Sequence, residues 1–68
     1  MWLIVIEAES DRPHLVNADQ VVDVEQLTGD RGTGPTCGLT LSGGKRLLVS
    51  DRLQDLASAL GAKWVTPK

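Results

Sequence analysis

The amino-acid sequence predicts a small α+β domain, in which an antiparallel β-sheet of about five strands, built from hairpins, carries one C-terminal helix packed on it. Short segments of the chain alternate apolar with polar residues, as half-buried strands do. Clusters of Gly, Pro, Asn, Asp and Ser separate these segments. One apolar stripe with helical spacing follows them. With 68 residues, positions 1–68 form one domain at most.

The first third of the chain predicts a pair of strands. The apolar, β-branched run Trp2–Ile6 is typical of a strand that is buried on both faces. Ser10–Pro13 predicts a turn, because proline fixes φ and the Ser and Asp side chains bond to nearby backbone. His14–Val16 then begins a short return strand, which ends at a second turn signal, Asn17–Asp19.

A third strand is predicted over residues 20–25, where apolar and polar residues alternate. Val22 and Val24 should share one face of this strand, and Asp23 and Glu25 the other. Two carboxylates on one face could serve acid–base chemistry, hold a cation or attract a basic protein surface. Such residues are more often the solvated side of an amphipathic strand.

The middle of the chain, residues 28–38, is a long, polar, glycine-rich loop. Beyond it a hairpin is predicted, with strands at Leu39–Leu41 and Lys45–Val49. Ser42–Gly44 should form its turn, since two successive glycines supply the positive φ values that tight hairpins need.

This turn overlaps a partial phosphate-binding motif. Gly38 and Gly43 have the spacing of a P-loop, but Gly44 stands where the motif requires lysine and Lys45 comes one position late. Arg46 then occupies the place of the hydroxyl that binds Mg²⁺, and a strand pattern follows where the motif requires a helix. The segment therefore predicts a turn and no nucleotide site.

One helix is predicted after the hairpin. Ser50 or Asp51 should cap its N-terminus, and Asp51 with Gln54 has the spacing of a capping box. Gly61 should end the helix as a C′ glycine, and residues 63–65 predict a last short strand. The apolar stripe of the helix consists of Leu53, Leu56, Ala57 and Leu60.

Composition argues against catalysis, cofactors and metals. Cys37 is the single cysteine and His14 the single histidine, so the chain lacks both an intrachain disulfide and the ligands of a structural metal. No nucleophile–base pair can be assembled from these side chains. Cys37 is expected to be a buried thiol, and His14 a surface or interface residue. We therefore expect no enzyme activity, no cofactor and no metal.

Charge and hydropathy limit the classes of partner and the cellular locations that the sequence favours. The net charge is -2 and the basic residues are scattered, which argues against nucleic acid as the main partner. The N-terminal apolar run ends at Ile6, which is too short for a signal peptide or a membrane span. Together with the lone cysteine, this predicts a cytoplasmic protein that does not associate with membranes.

The amount of apolar surface predicts a partner. The helix can cover one face of the sheet, yet Leu3–Ile6 and Leu47–Val49 are apolar on both faces. The second face therefore requires curling of the sheet, another copy of the chain or a different protein. Candidate contact residues come from the glycine-rich loop, the acidic strand face and the C-terminal tryptophan. They are Asp30, Arg31, Thr33, Asp23, Glu25 and Trp64.

Two segments, LVNADQVVDVE and LTLSGGKRLLVSDRLQDLASAL, resemble the FlbD-like family of small flagellar-associated proteins. That family shows a VN-x-D-x-I turn and strand, a hairpin closed by a glycine turn, and a VVxES segment that leads into a short helix. Asp51 stands where the family commonly has Glu, and the 28–38 loop is longer. The resemblance implies a compact β-rich fold and a non-enzymatic role. The matching positions are Val16, Asn17, Asp19, Val22, Leu41, Gly44, Val49 and the helix at 51–60.

These observations predict a small bacterial or phage protein that regulates or scaffolds a partner protein by docking on it, without enzymatic activity. One alternative is a phage-encoded inhibitor of a host complex, such as a defence nuclease or RNA polymerase, in view of the small size and the acidity. Another is weak, salt-sensitive nucleic-acid binding. Its candidate residues are Lys45, Arg46, Arg31 and Arg52.

Overall fold

The computed structural model describes residues 1–27, 36–63 and 65. Within these residues five antiparallel strands form one sheet, in the order β2-β1-β5-β4-β3, and one α-helix packs on it. This confirms the predicted α+β fold. The elements are β1 (Trp2–Glu7), β2 (Arg12–Asn17), β3 (Val21–Gln26), β4 (Cys37–Leu41), β5 (Arg46–Val49) and α1 (Leu53–Leu60), with a 3-10 turn at Ala18–Gln20 between β2 and β3.

β1 and β2 form a hairpin in which all six residues of each strand are paired. The turn between them lies at residues 8–11 and not at Ser10–Pro13 as predicted, because Arg12 and Pro13 already pair with β1 as part of β2. The Glu7 carboxylate closes this turn by accepting from the N–H and the hydroxyl of Ser10. At the open end of the hairpin, Ala18 N–H donates to the Met1 carbonyl at 2.9 Å. The hairpin is therefore held at both ends.

β3, β4 and β5 form a meander. The register of β3 against β4 shifts between Val21 and Asp23, where the strand carries a bulge. The turn from β4 to β5 lies at residues 42–44, with positive φ at Gly43 (93°) and Gly44 (91°). This confirms the hairpin turn that the glycine pair predicts.

The hairpin and the meander meet where β1 runs beside β5. Their ladder consists of Glu7 opposite Val49, and Ser50 N–H extends it by donating to the Ile6 carbonyl at 2.9 Å. Asp51 adds a side-chain bond, because its Oδ1 accepts from Ile6 N–H at 2.7 Å. Residues of the hairpin and of the meander lie in one core on either side of this joint.

The core lies on one face of the sheet, which we call the inner face, and α1 covers it. Burying a Val or Leu side chain stabilises a fold by about 1.5–3 kcal/mol relative to leaving it exposed, so these few side chains carry much of the stability. The buried hydrophobic residues among those described are Leu3, Val5, Val16, Cys37, Leu39, Val49 and, from the helix, Leu56.

The two ends of α1 differ in how well they were predicted. Arg52, with φ −80° and ψ 150°, is the N-cap and makes no side-chain capping bond. The prediction of Ser50 or Asp51 as the cap is wrong, since the helix begins later and the Asp51 carboxylate bonds to β1. Gly61 ends the helix as predicted, with φ 74° and its N–H donating to the Ser58 carbonyl.

β1 is buried on one face, not on both as its composition predicts. Leu3 and Val5 point into the core, whereas Trp2 is 64% exposed and Ile4 is 69% exposed. The reason is that α1 covers the inner face of the sheet. The opposite face, which we call the outer face, is thus left with large apolar side chains.

The predicted assignment of valines to the faces of β3 is wrong because of the bulge. Val22 does not share a face with Val24, because the extra residue turns Val22 outward and leaves it 64% exposed. Val21 packs against the core in its place. β4 also begins earlier than predicted, so the last two residues of the 28–38 loop, Cys37 and Gly38, belong to a strand.

The predicted C-terminal strand at 63–65 is not formed at Lys63 or Val65. Trp64 lies outside the described residues.

Candidate interaction surface

The outer face of the β1–β2 hairpin carries three large apolar side chains, which we call the hairpin patch. They are Trp2, Ile4 and Leu15, exposed by 64%, 69% and 67%. Ile4 and Leu15 lie directly opposite each other in the ladder, so their side chains are neighbours on the same face. The patch is therefore contiguous across both strands.

The hairpin patch is also free of charge. Side chains alternate along each strand, so Ile6 follows Trp2 and Ile4 on the outer face of β1. On β2 the same face carries Pro13 and Asn17 on either side of Leu15. An apolar surface without ionic groups gains from losing water and presents no charge that must be desolvated.

The outer face of the meander combines two exposed apolar residues, Val22 and Leu48, with polar residues held by Arg46. Its guanidinium lies over Gly38, where an added Cβ would sit 2.5 Å from Nη2. Nη2 donates to Glu25 at 2.9 Å and Nη1 to the hydroxyl of Thr40 at 3.2 Å. The absence of a side chain at Gly38 is what lets the arginine lie flat across β4 and reach β3.

The acidic residues that were predicted to contact a partner lie on this polar part. Asp23 and Glu25 are both exposed on the outer face of β3, opposite Thr40 and Gly38. Glu25 is paired with Arg46, so the strand does not present an uncompensated acidic stripe. The remaining candidate contact residues, Asp30, Arg31, Thr33 and Trp64, lie outside the described residues.

The residues considered for nucleic-acid binding are partly neutralised. Arg46 forms the ion pair with Glu25, and Arg52 Nε lies 3.2 Å from Asp55 Oδ2. Lys45 is exposed beside the β4–β5 turn. Phosphate binding draws its affinity from cations that release counterions, so paired arginines of this kind support it poorly.

Cys37 is fully buried in the core, as predicted. Burial raises the pKa of its thiol, and the carboxylate of Asp51 adds to the rise. Since the thiolate is the reactive form of cysteine, both effects suppress its reactivity. His14 is exposed, as predicted. The described residues hold no group of three or more His, Cys, Asp or Glu side chains placed to bind a metal ion.

Of the described helical residues, none belongs to a segment long and apolar enough to cross a bilayer.

Sequence reasoning missed the hairpin patch as a site. The run Trp2–Ile6 is apolar at every position, so the pattern indicates excess apolar surface but not which face stays exposed. Leu15 gave a weaker signal, since one leucine in a short strand is usual.

Comparisons with protein-family models, with curated proteins and with solved structures each returned no match.

Proposed function

We propose that this protein is a small, non-enzymatic, cytoplasmic interaction module that regulates or scaffolds a partner protein by docking the outer face of its sheet on it. The observation that carries the proposal is the hairpin patch, with Trp2, Ile4 and Leu15 each about two-thirds exposed. Contiguous exposed apolar side chains rimmed by polar residues are typical of protein interfaces. Tryptophan is among the residues that most often dominate binding energy.

The size of the patch indicates how much of the face a partner must cover. Burying the exposed parts of the three side chains contributes about 1–2 kcal/mol each, roughly 3–6 kcal/mol together. Association costs about 4–15 kcal/mol in lost freedom of motion. The patch alone therefore supports at most weak binding, and stable docking requires additional contacts.

The polar part of the outer face can supply those contacts. Arg46 is held by Glu25 and Thr40, so its guanidinium is oriented before a partner arrives. Preorganised polar groups on the same face of the sheet as an apolar patch favour specificity and fast association. In this arrangement the hairpin patch supplies most of the binding energy. The group formed by Arg46, Glu25 and Thr40 distinguishes the correct partner from other proteins.

The resemblance to the FlbD-like family supports the same proposal, because it implies a non-enzymatic role. The loop residues Asp30, Arg31 and Thr33, together with Trp64, complete the proposed contact set. A phage inhibitor of a host complex would use the same outer face, and the identity of the captured partner distinguishes it from a regulator. Nucleic-acid binding is less well supported, since Arg46 and Arg52 are paired with carboxylates.

A charge placed in the hairpin patch tests the proposal. Leu15→Glu should abolish capture of the partner, because a carboxylate would have to be desolvated in the interface. Ala59→Glu is the matched control, since Ala59 is also exposed but lies on α1, which covers the inner face of the sheet. Circular dichroism should show both variants folded.

The readout is quantitative mass spectrometry of proteins retained by each immobilised variant from a lysate of the source cells. A protein enriched by wild type and Ala59→Glu but lost with Leu15→Glu supports docking through the patch. Equal enrichment by Leu15→Glu would contradict the proposal.

A further inference from the structure

Among the described residues β2 is one edge of the sheet, and the backbone groups that it leaves unpaired within them can be assigned. Ala18 N–H bonds to the Met1 carbonyl, and hydrogen-bonded pairs alternate along an antiparallel ladder. Ile4 opposite Leu15 is therefore a non-hydrogen-bonded pair, whose N–H and C=O groups point away from the partner strand. The β1 side agrees, because the N–H and C=O of Ile6 bond to Asp51 and Ser50 and not to β2.

Within the part of the chain that the structure describes, the free edge of β2 therefore consists of the backbone groups of Pro13, Leu15 and Asn17. Pro13 has no N–H, and it sits where that group would face outward, which is the position in which sheets tolerate proline. Asn17 is the N-cap of the 3-10 turn, so its carbonyl accepts the first bond of that turn. The edge thus lacks one donor at Pro13 and has one acceptor already in use at Asn17.

β3, the other edge, is protected against pairing. It carries the bulge at Val21–Asp23, and its outer face bears the carboxylates of Asp23 and Glu25. Bulges and charged side chains are the usual devices that keep edge strands from pairing with other chains. Two copies joined through β3 would also bring these carboxylates close to their own counterparts.

We propose that β2 pairs with β2 of a second copy of this chain, antiparallel about a two-fold axis at Leu15. Leu15 N–H then donates to the Leu15 carbonyl of the second copy, and Asn17 N–H to the second copy's Pro13 carbonyl. The two-fold axis repeats both bonds. The missing donor of Pro13 faces the Asn17 carbonyl that the 3-10 turn already uses, so the pairing leaves no group of either residue unsatisfied.

Charge favours the same register. Arg12 is the one charged residue of β2, and it lies opposite Ala18 of the second copy and not opposite its own counterpart. On the outer face near the axis, the Leu15 side chain lies beside Leu15 of the second copy, so two apolar side chains pack against each other. One strand pair buries less than the roughly 800 Å² per partner of a standard interface, so the dimer is weak and forms in a concentration-dependent manner.

This pairing goes beyond the proposed docking function, because it uses the backbone edge and not the sheet face. It also places two hairpin patches side by side in one continuous ten-stranded sheet, if both copies contribute the five strands described. A partner with two binding segments would then bind more tightly through effective concentration.

Disulfide trapping tests the register. Directly opposite residues of a hydrogen-bonded pair have Cα atoms about 5.5 Å apart, within the range that a disulfide spans. Leu15→Cys should therefore form a covalent dimer in a glutathione redox buffer at least about tenfold faster than Val22→Cys, which is as exposed but lies on β3. Equal rates for the two variants would overturn the proposal.

Chemical synthesis of the chain provides a test that keeps every side chain. N-methylation of Leu15 removes the central donor, and should weaken dimerisation in sedimentation equilibrium at least about tenfold, since two symmetric bonds are lost. N-methylation of Leu53 is the matched control. Leu53 opens α1, where its N–H has no partner within the helix, and the preceding Arg52 is extended. Equal dimerisation of the two analogues, or a monomeric wild type from micromolar to millimolar concentration, would refute the pairing.

The two proposals fail separately. N-methyl-Leu15 retains the hairpin patch, so it should still capture the partner protein as a monomer. Leu15→Glu would also place two carboxylates at the dimer axis, so capture by the N-methyl-Leu15 analogue is the measurement that separates docking from dimerisation.

Discussion

Replacing Gly38 by alanine should leave the free energy of unfolding nearly unchanged, because two opposed effects of similar size act there. Alanine within a strand is favoured over glycine by about 0.5–1 kcal/mol, since glycine loses more conformational freedom on folding. Against this, the new Cβ would lie 2.5 Å from Nη2 and 2.8 Å from Cζ of Arg46. These contacts are too close, so the guanidinium must move away from Glu25 and Thr40.

The cost of that movement is small because the groups are exposed. The Arg46 and Glu25 side chains are 41% and 58% exposed, and ion pairs of this kind contribute about 0.2–1 kcal/mol. The flexible arginine can swing out, so the backbone need not shift. The two effects should cancel to within about 0.8 kcal/mol.

A double-mutant cycle separates the stabilising effect of alanine at position 38 from its steric conflict with Arg46. In an Arg46→Ala background the steric conflict is gone, so Gly38→Ala should stabilise the protein by about 0.5–1 kcal/mol. Arg52→Ala is the control background, because Arg52 is also paired but with Asp55. There Gly38→Ala should behave as it does in the wild type.

The measurement is urea unfolding followed by far-ultraviolet circular dichroism, with equal m-values as the test that only stability has changed. If Gly38→Ala changes the unfolding free energy equally in the wild-type and Arg46→Ala backgrounds, Arg46 does not depend on the space at Gly38 and the reasoning is wrong.

Three further predictions concern ionisable groups. Asp51→Ala should destabilise the fold by about 1–3 kcal/mol, because Ile6 N–H loses its acceptor. Asp51→Asn keeps Oδ1 and should therefore destabilise the fold less. Urea unfolding of both variants measures the difference. The pKa of Cys37 is raised by burial, so its contribution to stability is complete below the thiol's unfolded pKa and is lost as pH rises through the folded one. Urea midpoints should therefore fall above about pH 8, and a Cys37→Ala variant that fell as steeply would contradict this. The Ser10 hydroxyl and N–H lower the pKa of Glu7, so its contribution is present above the unfolded carboxyl pKa and lost as pH falls through the folded one; a thermal-unfolding series in acid should show less loss for Glu7→Gln than for wild type.

Features that depend on one or two residues were predictable from the sequence. The turn at residues 42–44 requires positive φ, and Gly43–Gly44 supplies it. Gly61 ends the helix for the same reason. In both cases the conformational preference is local, so no knowledge of the tertiary structure is needed.

Features that depend on distant partners were not predictable. Asp51 has the local spacing of a capping residue, but its actual partner, Ile6, lies 45 positions away along the chain. The bulge at Val21–Asp23 escaped for a related reason, since either adjacent valine can start the alternation and the β4 register decides between them.

The sequence predicts that an apolar sheet face stays uncovered, but it does not predict which residues form that face. An uncovered apolar sheet face follows from the count of apolar residues and the presence of one helix. Which residues form it does not follow, because Trp2–Ile6 is apolar on both faces and only the packing of α1 leaves Trp2 and Ile4 outside.

The joint between β1 and β5 has a consequence for how the chain folds as it leaves the ribosome. Ile6 is bound by Asp51, which is synthesised 45 residues later, a delay of roughly 2–9 seconds at common elongation rates. During that interval the first hairpin has no core to join, and an isolated two-stranded hairpin is marginal in water. The pairing of β1 with β2 therefore becomes stable only once the segment that contains β5 and Asp51 has been made.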